Sequence, residues 1–261
     1  MSAQTPLRLS PVSESGRFLD GQVAVVTGAG RGIGRGIATA YARAGATVVL
    51  AARTVAELDD VAADIEAAGG RALAVPTDVM HAVQVDALFA RVADELGGTD
   101  VLVANAGGTF GGGPVETSDL DEWRATFTLN VDGVFLCARA AIPQLRARGG
   151  GKIIVMGSGA GRRAGPGWGS YASAKAAVAM LVRVLAQELR GDHIAVNEIV
   201  PGPVRTVLIE NLPTNIAGNL SGVATEWFKT PEAVADLALY LAGLPNDGAS
   251  GQTFSLLGRD M

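Results

Sequence analysis

The sequence predicts a single doubly wound α/β domain with a mostly parallel sheet of about seven strands. Short runs rich in β-branched residues alternate with longer segments of helical apolar spacing, and a parallel crossover needs a connection of about a dozen residues or more. The first runs contain few polar residues, as expected for strands that helices cover on both faces. The predicted strands are residues 23–27, 47–51, 72–76, 101–104, 152–156, 194–199 and 253–256.

The composition describes a folded protein with an ample core. Of the 261 residues, 48% are hydrophobic and 18% are charged, and the mean hydropathy is +0.29. A chain this apolar can bury enough surface to fold. No Pro/Gly/Ser-rich linker and no repeat of roughly 20 to 50 residues divides it. We therefore predict a flexible N-terminal tail over residues 1–18 and one domain over residues 19–261.

Charge, cysteine and histidine content exclude several classes of function. The formal net charge is −5 and no dense basic run occurs, which argues against nucleic acid and anionic membranes as partners. No uncharged apolar run reaches the roughly 18 residues of a membrane helix. Cys137 is the one cysteine, and His81 and His193 offer no metal-ligand spacing. We expect no metal, no disulfide and a cytoplasmic location.

The first predicted strand runs directly into a glycine-rich turn, TGAGRGIG at residues 27–34. Gly28, Gly32 and Gly34 follow a G-x-x-x-G-x-G spacing. Glycines between a strand and a helix let the backbone approach a pyrophosphate, which the helix N-terminus stabilises. The turn therefore predicts a Rossmann-type dinucleotide site, with a purely structural turn as the alternative.

The residues after the second predicted strand indicate which dinucleotide binds. Ala52 and Arg53 occupy the position where a dinucleotide fold places the adenosine ribose. An NAD site has a carboxylate there, whereas an arginine can pair with a 2′-phosphate. Arg31 in the glycine turn is a second candidate. The two arginines predict NADP(H), with solvated surface arginines as the alternative.

A serine, a tyrosine and a lysine form the strongest constellation in the sequence. Tyr171 and Lys175 are four residues apart, so they share one face of a helix, and Ser158 lies thirteen residues before Tyr171. An ammonium about 4 Å from a phenol, at an effective dielectric of ~20, contributes up to about 4 kcal/mol, or about three pKa units. This would bring the tyrosine pKa towards neutrality. The alternative is a lysine that packs beside a core tyrosine.

The helix that begins near Ser170 is small or apolar on nearly every face. Between Ala172 and Ala186 only Lys175 and Arg183 are charged. Because a helix that is apolar all round needs partners on all sides, we predict that it contributes to a subunit interface. The alternative is that another helix of the same chain covers it.

In their order and spacing these motifs resemble the short-chain dehydrogenase/reductase family over residues 20–258. TGAGRGIG resembles the cofactor loop of the family, Asp78-Val79 its adenine-contact pair, and Asn105-Ala106-Gly107 its NAG motif. The segment with Pro201, Gly202 and Thr206 resembles the part of the family that holds the nicotinamide carboxamide. With the two arginines, the implied cofactor-binding residues are Gly28, Arg31, Gly32, Ile33, Gly34, Arg53, Asp78, Val79, Asn105, Gly107, Tyr171, Lys175, Pro201, Gly202 and Thr206.

The resemblance also implies a catalytic tetrad of Asn130, Ser158, Tyr171 and Lys175. Tyr171 is then the acid/base at the carbonyl oxygen and Ser158 orients that carbonyl. Lys175 binds the nicotinamide ribose and lowers the tyrosine pKa, while Asn130 holds a water in a proton relay. Two departures from the family occur. Gly159 stands where a second serine is common, and the chain ends without the usual doubled glycine.

Three functions are compatible with these residues. The first is NADPH-dependent, reversible reduction of a ketone to a secondary alcohol. The second is reduction of a 3-oxoacyl carrier protein, which needs a basic docking patch for which Arg162 and Arg163 are candidates. The third is a non-catalytic nucleotide-sensing protein, against which the complete tetrad argues. The family resemblance also implies a homo-oligomer, most simply a tetramer.

The predicted substrate side is apolar. Between Thr206 and Thr230, residues such as Leu208 and Leu212 fall at helical spacing, interrupted by Pro and Gly. In the family this segment resembles a lid over the nicotinamide, and the alternative is that it caps the core. The predicted pocket residues are Phe110, Gly159, Trp168, Leu208 and Leu212. They favour a small-molecule carbonyl or alcohol that is bulky and apolar.

Overall fold

The structure is a computed structural model that describes residues 16–163, 165–205 and 228–257. Within these ranges strands and helices alternate as the sequence predicts. The strands are β1 (Val23–Thr27), β2 (Thr47–Ala52), β3 (Arg71–Pro76), β4 (Val101–Ala104), β5 (Gly151–Met156), β6 (Ile194–Val200) and β7 (Thr253–Ser255). The helices are α1 (Gly32–Arg43), α2 (Val55–Ala67), α3 (Ala82–Leu96), α4 (Leu120–Phe127), α5 (Gly133–Ala147), α6 (Gly169–Glu188) and α7 (Pro231–Gly243).

The strands form one parallel sheet of seven in the order β3-β2-β1-β4-β5-β6-β7. This confirms the predicted doubly wound architecture. The direction in which the chain adds strands reverses between β1 and β4. In such sheets ligands bind outside the carboxyl ends of the strands at this reversal, so the order of strands places the candidate site there.

Helices cover both faces of the sheet, and side-chain alternation divides each strand between two cores. In β1, Val25 lies in the core with α3, α5 and α6, whereas Ala24 and Val26 lie in the core with α1, α2 and α7. All of β1 is buried, which explains why its sequence has no polar face. The Tyr41 hydroxyl donates to the Ala238 carbonyl at 2.8 Å and ties α1 to α7.

A π-helical turn, Thr128–Asp132, joins α4 to α5. By length and composition the combined stretch Leu120–Ala147 is, within the described ranges, the one helix that could cross a membrane. In the fold its α5 portion packs on β4, β5 and α3 and supplies core residues. π turns often occur at functional sites, and this one carries Asn130.

The helix α6 is buried on one side and exposed on the other. Val178 and Val182 face the core, but Met180 is 55% exposed and Val184 is 43% exposed. On α5, Phe135 is also exposed. Among the described residues no helix of the same chain covers this apolar face, so the predicted interface between subunits remains a proposal for it.

Packing of the domain begins close to the first described residue. Leu19 is fully buried, and the ring of Phe18, the last residue of the predicted tail, lies against Gly243 of α7. Residues 1–15 of that tail lie outside the described residues.

Candidate active site

The glycine turn between β1 and α1 has no room for side chains at two of its glycines. Gly28 and Gly32 have φ values of +66° and +54°, where a residue with a Cβ is strained. A Cβ on Gly34 would overlap the carbonyl oxygen of Gly28, and one on Gly28 would lie 2.9 Å from Asn105 Nδ2. With Ile33 in the first turn of α1, the turn presents bare backbone at a helix N-terminus, which is the cradle that a pyrophosphate requires.

Asn105 and Thr27 brace this turn from neighbouring strands. The Asn105 side chain donates to the Thr27 carbonyl at 2.8 Å. The Thr27 hydroxyl accepts from the backbone N–H groups of Asn105 and Ala106, each at 3.0 Å. Because Thr27 is buried, these bonds fix the glycine turn relative to the end of β4.

The two arginines of the predicted NADP(H) site have different surroundings. Arg53 is exposed after β2 and has no hydrogen-bond or ion-pair partner among the described residues. Arg31 Nη1 lies 3.8 Å from Glu57 Oε1, and a Cβ on Gly30 would lie 2.8 Å from Glu57 Oε2. Sequence reasoning missed Glu57 because it reaches the turn from α2. Arg53 is therefore open to an anion, whereas Arg31 already faces a carboxylate.

Asp78 and Val79 lie just beyond β3, at the same edge of the sheet as the arginines. The Thr77 N–H donates to the Ala52 carbonyl at 2.8 Å, which holds the segment beside the end of β2. Val79 is buried, and a Cβ on Gly133 would lie 3.0 Å from Val79 Cγ2. Asp78 and Val79 thus lie at the carboxyl end of β3, beside the end of β2, and their contact with an adenine stays a prediction.

Ser158, Tyr171 and Lys175 converge near the carboxyl end of β5. Ser158 follows β5, the other two lie on α6, and the Ser158 side chain is close enough to Tyr171 to lower the pKa of its phenol. Lys175 Nζ lies 5.8 Å from the Tyr171 ring centroid and donates to the Met156 carbonyl at 2.8 Å. The spacing of four residues places Tyr171 and Lys175 on one face of α6.

Burial governs the protonation of this group. It raises the pKa of Tyr171, and the nearby Ser158 side chain, which favours the phenolate, opposes part of that rise. Burial also lowers the pKa of Lys175 to about 8, although the negative charge of Glu198 favours the ammonium and raises this pKa. The pKa of Tyr171 in the protein alone is therefore raised by burial rather than lowered, and the expectation that Lys175 lowers it stays a prediction.

The side chain of Asn130 is fully buried in the π turn. Its Nδ2 donates to the carbonyls of Gly108 at 2.6 Å and Thr126 at 2.8 Å, and its Oδ1 accepts from the Gly108 N–H at 3.2 Å. A Cβ on Gly107 would lie 2.9 Å from Asn130 Oδ1 and 3.2 Å from Lys175 Nζ. The amide of Asn130 thus fixes the backbone after β4 close to Lys175.

Two glycine-rich loops meet on the Tyr171 side of the group. The Gly113 N–H donates to the Gly167 carbonyl at 3.1 Å. The Trp168 ring lies 5.7 Å from the Tyr171 ring. Phe110 lines a small cleft between these loops. The cleft is also lined by Gly112, Gly113, Ser118, Asp119, Glu122, Trp123, Gly167, Gly169 and Ser170.

Some of the remaining predicted site residues lie within the described residues and others lie outside them. Gly159 begins the 3₁₀ turn Gly159–Gly161, and a Cβ on it would lie 3.0 Å from the Leu257 side chain. Pro201 and Gly202, which has φ of +70°, follow β6 at the same end of the sheet. Thr206, Leu208 and Leu212, with most of the predicted lid, lie outside the described residues.

Arg162, a candidate for a docking patch in the sequence, is paired with a buried carboxylate. Its Nη1 donates to Glu198 Oε1 at 3.1 Å and its Nη2 donates to Glu198 Oε2 at 2.6 Å. The side chains of Arg162 and Glu198 are 17% and 1% exposed. The interpretation of Arg162 as a docking residue is therefore wrong. Glu198 was missed, although a charged residue within the apolar run IAVNEIV is a signal that a partner exists.

A glycine turn at the reversal point of a parallel sheet, beside a half-buried serine and tyrosine and a buried lysine, defines a dinucleotide-dependent oxidoreductase acting on CH–OH and C=O groups. The sequence matches the short chain dehydrogenase family over residues 22–217. The chain belongs to the short-chain dehydrogenase/reductase family, whose members bind NAD(P) and act on small molecules.

Relatives and solved structures cover most of the chain. A 3-oxoacyl-[acyl-carrier-protein] reductase of Synechocystis sp. is 38% identical over 92% of this chain and 97% of its own. A 7α-hydroxysteroid dehydrogenase, solved with NADH and 7-oxo glycochenodeoxycholic acid, has a TM-score of 0.86 and 33% identity over 94% of this chain and 96% of its own. A short chain dehydrogenase of Burkholderia cenocepacia J2315 in complex with NADP has a TM-score of 0.83 and 33% identity over 91% and 96%.

Proposed function

We propose that this protein reduces a ketone to a secondary alcohol with NADPH, and that the reaction is reversible. The observation that carries the proposal is the convergence of Ser158, Tyr171 and Lys175 beside the glycine turn. Two neighbouring hydroxyls, next to a buried ammonium, can bind a carbonyl oxygen and deliver a proton to it. A protein that only senses a nucleotide has no use for this pair of hydroxyls.

Each of the three side chains has a separate task. The Tyr171 hydroxyl, which burial keeps protonated, donates a proton to the carbonyl oxygen in reduction. Ser158 donates to the same oxygen and orients it. Lys175, held by the Met156 carbonyl, stabilises the phenolate that remains after proton transfer.

The described residues fit a dinucleotide. Gly28, Gly32 and Gly34 would hold the pyrophosphate, and Asp78 and Val79 would border the adenine. Lys175 would bind the nicotinamide ribose. When bound, the dinucleotide supplies the hydride.

The preference for NADPH rests on charge at the end of β2. Arg53 is exposed and has no partner among the residues described, so it can pair with a 2′-phosphate. Arg31 contributes less because Glu57 competes for its guanidinium. Since Ala52 offers no carboxylate to a ribose 2′-hydroxyl, the site lacks the usual contact that favours NADH.

The side chains near Tyr171 favour an apolar ketone over an anionic one. Phe110, Trp123 and Trp168 supply aromatic surface on this side. Asp119 and Glu122 also line the cleft, so a negatively charged substrate meets like charges there.

The second candidate is reduction of a 3-oxoacyl carrier protein. The Synechocystis relative favours it, at 38% identity over nearly the whole chain. The surroundings of the site argue against it, because carrier proteins are acidic. Arg162 is committed to Glu198, and the cleft carries Asp119 and Glu122.

A substrate panel separates these candidates. We expect NADPH oxidation, followed at 340 nm, with bulky apolar ketones, little with short 2-oxo acids, and less with a 3-oxoacyl carrier protein than with the apolar ketones. Faster turnover of the 3-oxoacyl carrier protein would favour the second candidate. No turnover of any carbonyl, with tight NADPH binding, would favour the sensor.

A further inference from the structure

A buried polar cluster lies next to the Ser158 loop, and the reaction chemistry above does not use it. Its carboxylate is Glu198, 1% exposed within β6, and Arg162 binds both of its oxygens. The Thr253 hydroxyl on β7 donates to Glu198 Oε2 at 2.7 Å and accepts from Arg162 Nη2 at 2.6 Å. We call these three residues the 162–198–253 cluster. Together they join the loop after β5 to two strands of the sheet.

The 162–198–253 cluster contacts the loop on both sides of Ser158. Gly157, immediately before Ser158, lies so close to Glu198 that a Cβ would overlap its carboxylate. The Gly157 N–H also donates to the Ile199 carbonyl at 2.8 Å. Arg162 holds the other end of the loop, four residues after Ser158. Ser158 therefore lies in a short loop, residues 157–162, which we call the arch, and both ends of the arch contact Glu198.

Gly161, within the same arch, packs against α6, the helix that carries Tyr171. A Cβ on Gly161 would lie 2.8 Å from the backbone carbon of Lys175. The Ala160 N–H donates to Ser158 Oγ at 3.2 Å, which ties the serine side chain to the conformation of the arch. A shift of the arch therefore moves Ser158 relative to Tyr171.

We propose that Arg162, Glu198 and Thr253 are positioning residues, which hold the Ser158 hydroxyl in line with Tyr171 for proton transfer to the carbonyl oxygen. The inference rests on the proposed carbonyl reduction. A buried ion pair is a poor way to gain stability, because an apolar pair of similar volume often serves as well or better. A bidentate pair does fix geometry, and displacement of a reacting group by about 1 Å can cost about 100-fold in rate.

The decisive variant is Arg162→Met, measured alone and together with Ser158→Ala. We expect Arg162→Met to lower kcat for ketone reduction by about 10- to 100-fold. The Kd for NADPH, measured by fluorescence, should change less than about threefold, because the variant leaves the glycine turn and Arg53 intact. In a Ser158→Ala background the same substitution should have little further effect, since the serine through which it acts is already gone. Arg162→Lys should recover part of the loss.

Arg148→Met is the matched control. Arg148 also makes a bidentate pair, with Asp100, at 2.9 Å and 3.0 Å, but at the opposite end of the strands. It should lower the melting temperature and leave kcat unchanged. Hydrogen exchange gives a readout that does not need activity, because residues 157–163 should exchange faster in Arg162→Met and at the wild-type rate in Arg148→Met. If Arg162→Met does not fold, Thr253→Val removes one bridging hydroxyl and should show the same pattern more weakly.

Three results would overturn the proposal. Arg162→Met could keep the wild-type kcat. The fold-decreases in kcat caused by Arg162→Met and by Ser158→Ala could multiply in the double variant. Hydrogen exchange at residues 157–163 in Arg162→Met could stay at the wild-type rate. The failure of the proposed function looks different, because the wild-type protein would then reduce none of the carbonyls in the panel.

Discussion

At the scale of single residues, burial moves the pKa values of Tyr171 and Lys175 in opposite directions. The phenol holds its proton more tightly than usual, and the ammonium releases its proton more readily, at a pKa of about 8. Both shifts come mainly from desolvation, which always favours the neutral form. The protein alone thus presents a protonated acid to a carbonyl, which suits reduction.

Arg53 is the residue that we expect to distinguish the two dinucleotides. Arg53→Ala should weaken NADPH binding by about 10- to 100-fold and leave NADH binding nearly unchanged, since loss of one charge-assisted contact costs about 1.5 to 3 kcal/mol. Arg31→Ala should have a smaller effect because Arg31 already faces Glu57. Fluorescence titration of both dinucleotides measures this. Equal losses for NADPH and NADH would show that Arg53 does not contact the phosphate.

Lys152 is a second buried lysine, remote from Tyr171, and it makes the stability of the protein depend on pH. Burial lowers its pKa to about 8, although Asp100 attracts the ammonium, which donates to Asn246 Oδ1. Between pH 8 and the ordinary lysine pKa, the unfolded chain binds the proton that the folded chain has released. The contribution of Lys152 to stability therefore rises with pH through this window.

Lys152→Met should remove that contribution. Relative to the variant, the wild-type free energy of unfolding should increase by up to about 2 kcal/mol between pH 7 and pH 9.5. Urea unfolding of both proteins at the two pH values measures the difference in their free energies of unfolding. The contributions of titrating groups that both proteins share cancel in this difference. A difference that is independent of pH would mean that Lys152 keeps an ordinary pKa in the folded protein.

At the scale of the elements, the sequence predicts the strands and the glycine turn well. The strands β1 and β4 are the most evident because every residue in them is buried, so their sequences carry apolar and β-branched residues without a charged interruption. The turn is evident because overlap with Gly28 excludes any side chain at Gly34. Contacts between distant elements were not predictable. Glu57 reaches the turn from α2, and Arg162 binds Glu198 across 36 positions in the chain, which local spacing does not encode.

The glycine turn provides the element-scale prediction. Gly34→Ala should weaken NADPH and NADH binding alike, by about tenfold or more, because relieving the overlap with Gly28 displaces the turn at a cost of about 1 to 3 kcal/mol. Gly191→Ala is the control, since a Cβ there meets nothing within 4 Å. Calorimetric titration of both variants tests the prediction. Unchanged affinity in Gly34→Ala would mean that the turn does not hold the dinucleotide.

At the scale of the whole molecule, exposed apolar residues on α5 and α6 favour association with further copies of the chain. Phe135, Met180 and Val184 are 49%, 55% and 43% exposed. We expect a homo-oligomer, most simply a tetramer of the 26.5 kDa chain, and Met180→Asp should lower its mass. Val83→Asp, at an 81% exposed position on α3, is the control and should not. Light scattering that gives 26.5 kDa for the wild-type protein at micromolar concentration would refute this.

We propose that Tyr171 delivers the proton while a hydride passes from NADPH to a ketone carbon. The most direct test uses NADPH labelled with deuterium at both C4 positions, the best ketone of the panel, and mass spectrometry of the alcohol formed by the wild-type protein and by Tyr171→Phe. The wild-type product should carry one deuterium on the carbinol carbon, and Tyr171→Phe should form it about 10²- to 10⁴-fold more slowly while still binding NADPH. Product without deuterium, or near-wild-type turnover by Tyr171→Phe, would contradict the account.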